Sequence, residues 1–600
     1  MDKQALGHRP TNSTAFDPRP AQVEQWIRDL PLGNLGESSR LLYEALNESQ
    51  GLDLPADQRF RLLEQLRVPI NAVLEAMKIH YVGKALPLAE KGRQTAALSQ
   101  ALMRQMARGY HKSLGAQGKH STLATQRALS YLGQMLLRAY QVYAPYPDGV
   151  WLAIHRLYQQ ADVQGYAQTS IKENITDSEC NRSVENVYKH ILLLALACPY
   201  RLRQGEVERI DTWLCEWAQH ATLTRITEAR SPNGMFVTNF NADDPPTYLV
   251  LRAIKYNPES CRLLNAARLA DSIRETLGRQ RREQGNKAQH INDHTLRRLM
   301  LAWGVMPQRR FSRTQKHSTA VVAMGLSTAH YFISGENEIV EGNNGTTRLF
   351  NKPANFTASN TAEQAGIMPD LWELTDMHLV RGAQTQAIDS QYIEFTPGND
   401  PLAVKSQMKT PAAPAQQQTP AYQTHLWKMI NVSAGGYRLL WDNRENSQAQ
   451  VGELLGLREN NELDSFHLSL GVVRWMKCET ELGLELGVEM LAPGAVAVGT
   501  KIHKINGDNE YLRSLLLPAN KALGQPATLL TPALPYHIGD ILMVSSHGKE
   551  ARVELTKIME NTGSFAQYQF QPLDSQSKAA PEPTGNADKE DDFSALWTQL

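Results

Sequence analysis

Two short clusters in this sequence carry side chains whose types and spacing suit ligand chemistry. Arg309, Arg310 and Arg313 lie in Pro307-Gln308-Arg309-Arg310-Phe311-Ser312-Arg313, an RxxxR pattern. Asn431, Ser433 and Gly436 lie in Asn431-Val432-Ser433-Ala434-Gly435-Gly436, a [D/N]xSxxG pattern. Guanidinium groups along an extended segment can grip phosphates bidentately, pair with guanine O6 and N7, or stack on a purine face. An amide and a hydroxyl two residues apart share one side of a strand and can satisfy the remaining base and phosphate edges. A glycine at 436 lets the chain turn sharply without a Cβ in the ligand's way. The chemistry is recognition of a charged guanine nucleotide. Either pattern alone is weak, since Arg104 and Arg108 form another RxxxR on a helical face, and the plainer reading is a surface arginine cluster followed by an ordinary hairpin turn.

The elements around these clusters set the fold class: a multidomain α + β chain, an N-terminal all-helical domain followed by an antiparallel β unit, a small β-barrel or sandwich, with a long insertion and a second small β module. From 21 to 304 apolar residues recur at three- and four-residue spacing, as in VEQWIRDL and ADQRFRLLEQLRVPINAVLEAM, broken at Pro145, Pro199 and Ser231-Pro-Asn-Gly234. No 34-residue period recurs beyond one segment near Trp151, so the pattern predicts a bundle of helices rather than a repeat array. After about 305 the texture turns to short alternating runs, STAVVAMGL, HLWKMINV, YRLLW, SFHLSLGVVRWMK and LGLELGVEML, separated by Gly, Asn and Asp. The first cluster runs straight into the first of these strands, and the second is the turn after HLWKMI. This barrel or sandwich is expected from 305–335 and 424–500. Between them 336–423 is a polar insertion ending in PAAPAQQQTPAYQ, expected as a partly disordered excursion. Residues 501–573 read as the second β module, 1–20 as a flexible tail, and 574–600 as an acidic linker with an apolar end, Phe593 to Leu600, suited to docking.

Composition narrows the function. The chain has 600 residues, 42% hydrophobic and 21% charged, enough apolar surface for several cores. Lys plus Arg and Asp plus Glu each number 62, which argues against a general DNA or anionic-lipid coat. Arg279, Arg281, Arg282, Arg297 and Arg298 lack interleaved aromatic residues and have acidic neighbours, so they read as a solvated helix face. Five cysteines with no CxxC pair fit a reduced, cytoplasmic protein. The polar N-terminus lacks a secretory core, and the most apolar run, His190 to Arg201, is too short to span a bilayer and fits a buried helix. Ser113 to His120 fails as a phosphate loop, and His290 and His294 lack a third ligand. With no nucleophile elbow or dinucleotide fingerprint either, the expectation is a binding protein: no catalytic residue, no metal, no cofactor, no DNA and no membrane insertion.

Taken in order, these residues resemble the PilZ family of cyclic-di-GMP receptors, which carry RxxxR before the first barrel strand and [D/N]xSxxG at the turn between the second and third. The resemblance covers about 306–335 and 425–500, continuing through YRLLW, Val451-Gly452-Glu453, SLGVVRW and Gly483-LELGVEML. It implies that Arg309, Arg310, Arg313, Asn431, Ser433 and Gly436 bind cyclic di-GMP. It also implies an output in surface attachment, type IV pilus or motility control, in the cytoplasm with recruitment to a pole or envelope complex. Two departures stand out. Arg313 and Asn431 are 118 positions apart, so the insertion must loop out, which closure entropy permits because it grows only logarithmically with length. Asn431 replaces the commoner Asp, and an amide donates as well as accepts. A protein partner is expected on the helical domain or the C-terminal tail. The alternative is a helical scaffold with a degenerate, ligand-free barrel.

Overall fold

A computed structural model describes residues 17–573 apart from 116–119, 176–177, 227–232, 250–255, 283–292, 305–311, 336–421, 434, 444, 460–467, 480–482, 504–509, 520–525 and 547–548. The insertion, the terminal tail, Arg309, Arg310 and His290 therefore lie outside the described residues.

The helical half is built on α1 (Pro20–Arg28), α2 (Leu35–Gly51), α3 (Ala56–Lys78), α4 (Glu90–Lys112), α5 (Ser121–Gln141), α6 (Val150–Val163), α7 (Val184–Leu196) and α8 (Glu206–Trp217). Their spacing in sequence becomes burial: on α3, Phe60, Leu63, Leu66, Ile70, Val73 and Met77 all face the core. The apolar run starting at His190 is α7, buried at every position from Ile191 to Leu196, as its composition requires. Caps fix the helix starts, with Asn34 accepting from the Glu37 amide at 3.1 Å and Ser183 from the Asn186 amide at 3.1 Å. The start of α6 is capped from a distance, since Asp243 accepts from the amides of Gly149 (2.6 Å) and Leu152 (2.9 Å). The failed phosphate loop is the connection from α4 to α5, where the His120 ring stacks on Phe60 at 4.5 Å.

This half is helical but not purely so. A hairpin, β1 (Ser170–Ile175) with β2 (Ser178–Ser183), precedes α7. A small antiparallel sheet of β3 (Thr222–Arg225), β4 (Met235–Asn239), β5 (Thr247–Tyr248) and β6 (Cys261–Asn265), in the order β3-β6-β4-β5, follows α8. Strands this short hold too few residues to show alternation, so periodicity misses them. Then come α9 (Ala267–Arg282) and α10 (Asp293–Gly304). The expectation of a solvated face fails for Arg298. It donates to the Arg201 carbonyl and faces Glu206 at 3.9 Å, because α10 lies against the helical half. Trp303, near the end of α10, is fully buried and donates to the Leu193 carbonyl at 3.1 Å.

The first barrel comprises β7 (Thr314–Met324), β8 (Thr424–Ser433), β9 (Gly436–Trp441), β10 (Leu454–Glu459), β11 (Ser469–Glu479) and β12 (Gly483–Ala492), closed in the order β10-β11-β12-β9-β8-β7. Strands β7 and β8 pair directly from Thr314–Val432 at one end to Ala323–Thr424 at the other. Between them in sequence stands α11 (Leu326–Ser334), whose Leu326 and Ala329 join a core shared with both barrels. Tyr331 of α11 stacks on Tyr422, 4.9 Å apart, so the two sides of the insertion meet. The second β module is a closed barrel too: β13 (Val496–Ile502), β14 (Leu512–Leu517), β15 (Thr528–Pro532), β16 (Ile541–Ser546), β17 (Lys549–Asn561) and β18 (Phe565–Pro572), in the order β13-β14-β15-β18-β17-β16. It begins at Val496, inside the stretch assigned to the first barrel, because the two barrels follow each other with only Pro493 to Ala495 between.

The three parts meet through hydrogen bonds. The carbonyls of Tyr143 and Leu86 accept from the amides of Cys478 (2.8 Å) and Ser447 (3.0 Å). Arg203 of the helical half donates to Ser564 at 2.9 Å and to the Thr562 carbonyl, and Ser564 donates to Glu453 of the first barrel at 3.0 Å. Burial raises the pKa of Glu453, only partly offset by its Ser564 hydrogen bond and by Arg203.

Candidate functional site

Strand alternation sorts the first barrel into an inner and an outer wall. Leu484, Leu486 and Val488 of β12 pair with Trp441, Leu439 and Tyr437 of β9, and the buried members of this set form the barrel's core. Their neighbours Glu485, Gly487 and Glu489 therefore face outward. Ladder register then carries one outward row across five strands: Gln315, Asn431, Arg438, Gly487 and Trp475. The adjacent row holds Ser433, Gly436 and Glu489. Arg313 directly precedes Thr314, the partner of Val432, so it stands at the register position that continues the ladder to Ser433.

The structure thus brings together Arg313, Asn431, Ser433 and Gly436 despite their separation in sequence. Ser433 Oγ donates to the Gly436 carbonyl at 3.3 Å, closing the turn. At Gly436 a Cβ would lie 1.9 Å from the Val488 carbonyl oxygen, so the close approach of β9 to β12 is a reason for glycine there besides the ligand clearance expected from sequence.

Four residues of the outer wall, Arg438, Glu485, Gly487 and Trp475, escaped the sequence reading. Arg438 forms a two-pronged pair with Glu485, Nη2 to Oε1 at 2.8 Å and to Oε2 at 2.6 Å, and Glu485 is only 3% exposed. Such a pair fixes a guanidinium beside Asn431 with its charge already balanced. Trp475 lies over Gly487 so closely that a Cβ at 487 would fall 1.7 Å from its indole nitrogen. The only sequence signal for these groups is the alternation of polar and small residues with apolar ones in YRLLW and LGLELGVEML. At the rim, Arg474 sits in a bulge of β11 and pairs with Glu489 and with Glu560 of the second barrel. Burial opposes its charge, but the two carboxylates outweigh that and hold the guanidinium more firmly protonated. Further along β8, a hydrogen bond from Lys428 keeps the Asp442 carboxyl below its ordinary range.

Among the described residues no group of three or more His, Cys, Asp or Glu side chains could hold a metal ion, and no helix is long and apolar enough to cross a membrane. A polar outer wall on a six-stranded antiparallel barrel, with Arg313 immediately before its first strand, is the arrangement of a PilZ-type module. Three family models match the chain in succession: the N-terminal domain of the cyclic-di-GMP receptor FimW over 21–229, its middle PilZ domain over 235–496 and its C-terminal β-barrel domain over 498–573. A Pseudomonas aeruginosa protein named cyclic-di-GMP receptor FimW is 31% identical over 98% of this chain and 97% of its own length. This chain belongs to the FimW family. No solved structure matches it.

Proposed function

We propose that this chain is a cyclic-di-GMP receptor whose outer barrel wall holds the nucleotide while Arg309, Arg310 and Arg313 close over it. The observation that carries the reading is the register of β7 on β8, which sets Arg313 beside Ser433 and one row from Asn431. In this reading the arginines grip the phosphates and a guanine edge, and Asn431 and Ser433 satisfy polar atoms on the wall. No chemistry on the nucleotide is asked of these groups, so the protein acts as a receptor and not as an enzyme, with neither cofactor nor metal. Since α10 ends at Gly304 and is anchored by Trp303 in the helical half, a nucleotide gripped by the arginines that follow it in sequence would pull directly on that helix. The output falls in surface attachment, pilus or motility control, in the cytoplasm, through a protein partner on the helical domain or tail.

The test is calorimetry of the full chain with cyclic di-GMP, GTP and cyclic AMP. Cyclic di-GMP is expected to bind preferentially. Arg313→Ala is expected to weaken it by roughly 1.5–3 kcal/mol, the worth of a charge-assisted hydrogen bond, with unchanged thermal stability. Unaltered affinity in a folded Arg313→Ala/Ser433→Ala double variant refutes the site, and a wild type that binds no nucleotide favours the scaffold.

A further inference from the structure

The two barrels share one topology. With each barrel's six strands numbered in chain order, both close in the order 4-5-6-3-2-1. Every pair around both rings is antiparallel. Register then finds, strand for strand, the counterpart of each residue on the first barrel's outer wall. The row Gln315, Asn431, Arg438, Gly487 and Trp475 becomes Ala497, Leu515, Leu530, Gln567 and Glu560. In the adjacent row Ala495 stands where Arg313 stands, Leu517 where Ser433 stands and Thr528 where Gly436 stands.

The groups suited to a nucleotide are thus exchanged for apolar ones. Pro493 to Ala495, the approach to β13, holds no arginine, and Pro518 to Ala527, which joins β14 to β15, holds no [D/N]xSxxG pattern. The second barrel fills its own interior with Val498, Leu516, Leu529 and Tyr568, so alternation turns Leu515 and Leu530 outward. Both are nevertheless 0% exposed. They share an apolar cluster with Leu326 and Ala329 of α11 and with Leu454, Leu470 and Val472 of the first barrel. The last member of the row, Glu560, accepts from Arg474 Nη2 at 3.0 Å, beside Trp475 on the first barrel's wall.

We infer that the C-terminal barrel is a second PilZ-type barrel whose ligand wall has become the docking surface for the first barrel and α11, so that it binds no cyclic dinucleotide of its own. That the first wall holds the nucleotide rests on the function proposed above; the docking role of the second wall does not. Leucine side chains offer no donor to a phosphate or a guanine edge. Freeing this wall for a ligand would also return its apolar surface to water.

The experiment uses the full chain. An azido derivative of cyclic di-GMP is photo-crosslinked, and the labelled peptides are mapped by mass spectrometry. Label is expected within 306–335 and 424–492, and label of equal yield within 495–532 overturns the inference. A chain that takes no label refutes the nucleotide reading alone, and the docking arm then decides. Leu530→Asp places a charge on the docked wall, and Gln571→Asp places one on the exposed side of β18. Amide exchange in α11 and β10 is expected to rise at least tenfold in Leu530→Asp and to stay within twofold of the wild type in Gln571→Asp. Circular dichroism checks the fold, and the milder Leu530→Ala is read instead if Leu530→Asp does not fold. Exchange in α11 that is unmoved in the folded wall variant overturns the inference.

Discussion

Replacing Gly436 by alanine separates two explanations of the [D/N]xSxxG glycine. The added Cβ would stand 1.9 Å from the Val488 carbonyl oxygen, and non-bonded contacts of this kind below 3.0 Å are essentially never seen. Strand β9 would have to retreat from β12 by about 1 Å, opening the ladder around the Gly436–Glu489 and Tyr437–Val488 pairs. One or two backbone hydrogen bonds at about 1 kcal/mol each, plus about 1–3 kcal/mol for the overpacking, give an expected loss of about 2–5 kcal/mol. Two comparisons calibrate it. Gly494, where a Cβ meets nothing within 4 Å, should tolerate alanine to within about 0.5 kcal/mol. Ser433→Ala removes only the 3.3 Å hydrogen bond to the Gly436 carbonyl, costing about 0.5–1 kcal/mol. Urea unfolding midpoints and cyclic-di-GMP calorimetry on all three variants form the assay. Gly436→Ala should lose both stability and affinity, whereas Ser433→Ala should lose affinity while staying folded. A Gly436→Ala protein with the wild-type midpoint and no ligand binding would refute the strand-approach account and leave ligand clearance as the glycine's role.

Joining Gly335 to Tyr422 by a short Gly-Ser linker should leave cyclic-di-GMP affinity within a few-fold, because all six barrel strands come from outside the insertion; a barrel that no longer folds would show that the insertion supports it. Since the Glu453 pKa is raised, folding favours its protonated form, so that contribution is complete below about pH 4.5 and is lost as pH rises through the elevated value. Glu453→Gln should therefore flatten part of the decline in melting temperature above pH 4.5, and an identical slope in both proteins would contradict this. Saturating cyclic di-GMP should slow amide exchange in α10 around Leu296, Leu299 and Trp303, measured by mass spectrometry; equal exchange with and without nucleotide would uncouple the helix from the site.

The helices were legible because three- and four-residue spacing is a local property, and α3 and α7 bury the faces their sequences mark. Of the six motif residues, Arg313, Asn431, Ser433 and Gly436 come together at one end of β7, β8 and β9, and side-chain type and order marked them before any fold was known. What the sequence hid depends on neighbours across strands. Arg438, Glu485, Gly487 and Trp475 share one wall only through ladder register, which no single strand encodes. Strands β3 to β6 are too short for alternation to register, and α11 follows Gly325 so closely that its apolar residues read as the tail of a strand. The close approach at Gly436 was hidden likewise, since Val488 lies 52 positions away in the chain.

The pairing of β7 with β8 also gives the barrel two ends with unequal freedom to change. The wall proposed to hold the nucleotide sits at the Thr314–Val432 end, while the chain leaves for the insertion past Ala323–Thr424, roughly 30 Å away along the strands at about 3.3 Å per residue. There the stacked Tyr331 and Tyr422 rings, with Arg513 over Tyr422 at 4.8 Å, clamp the stem. Sequence between Gly335 and Tyr422 can lengthen, shorten or be exchanged without shifting the register that places Arg313 beside Ser433. The stem is a natural socket: a fluorescent domain spliced there would ride on the receptor with its nucleotide face left clear.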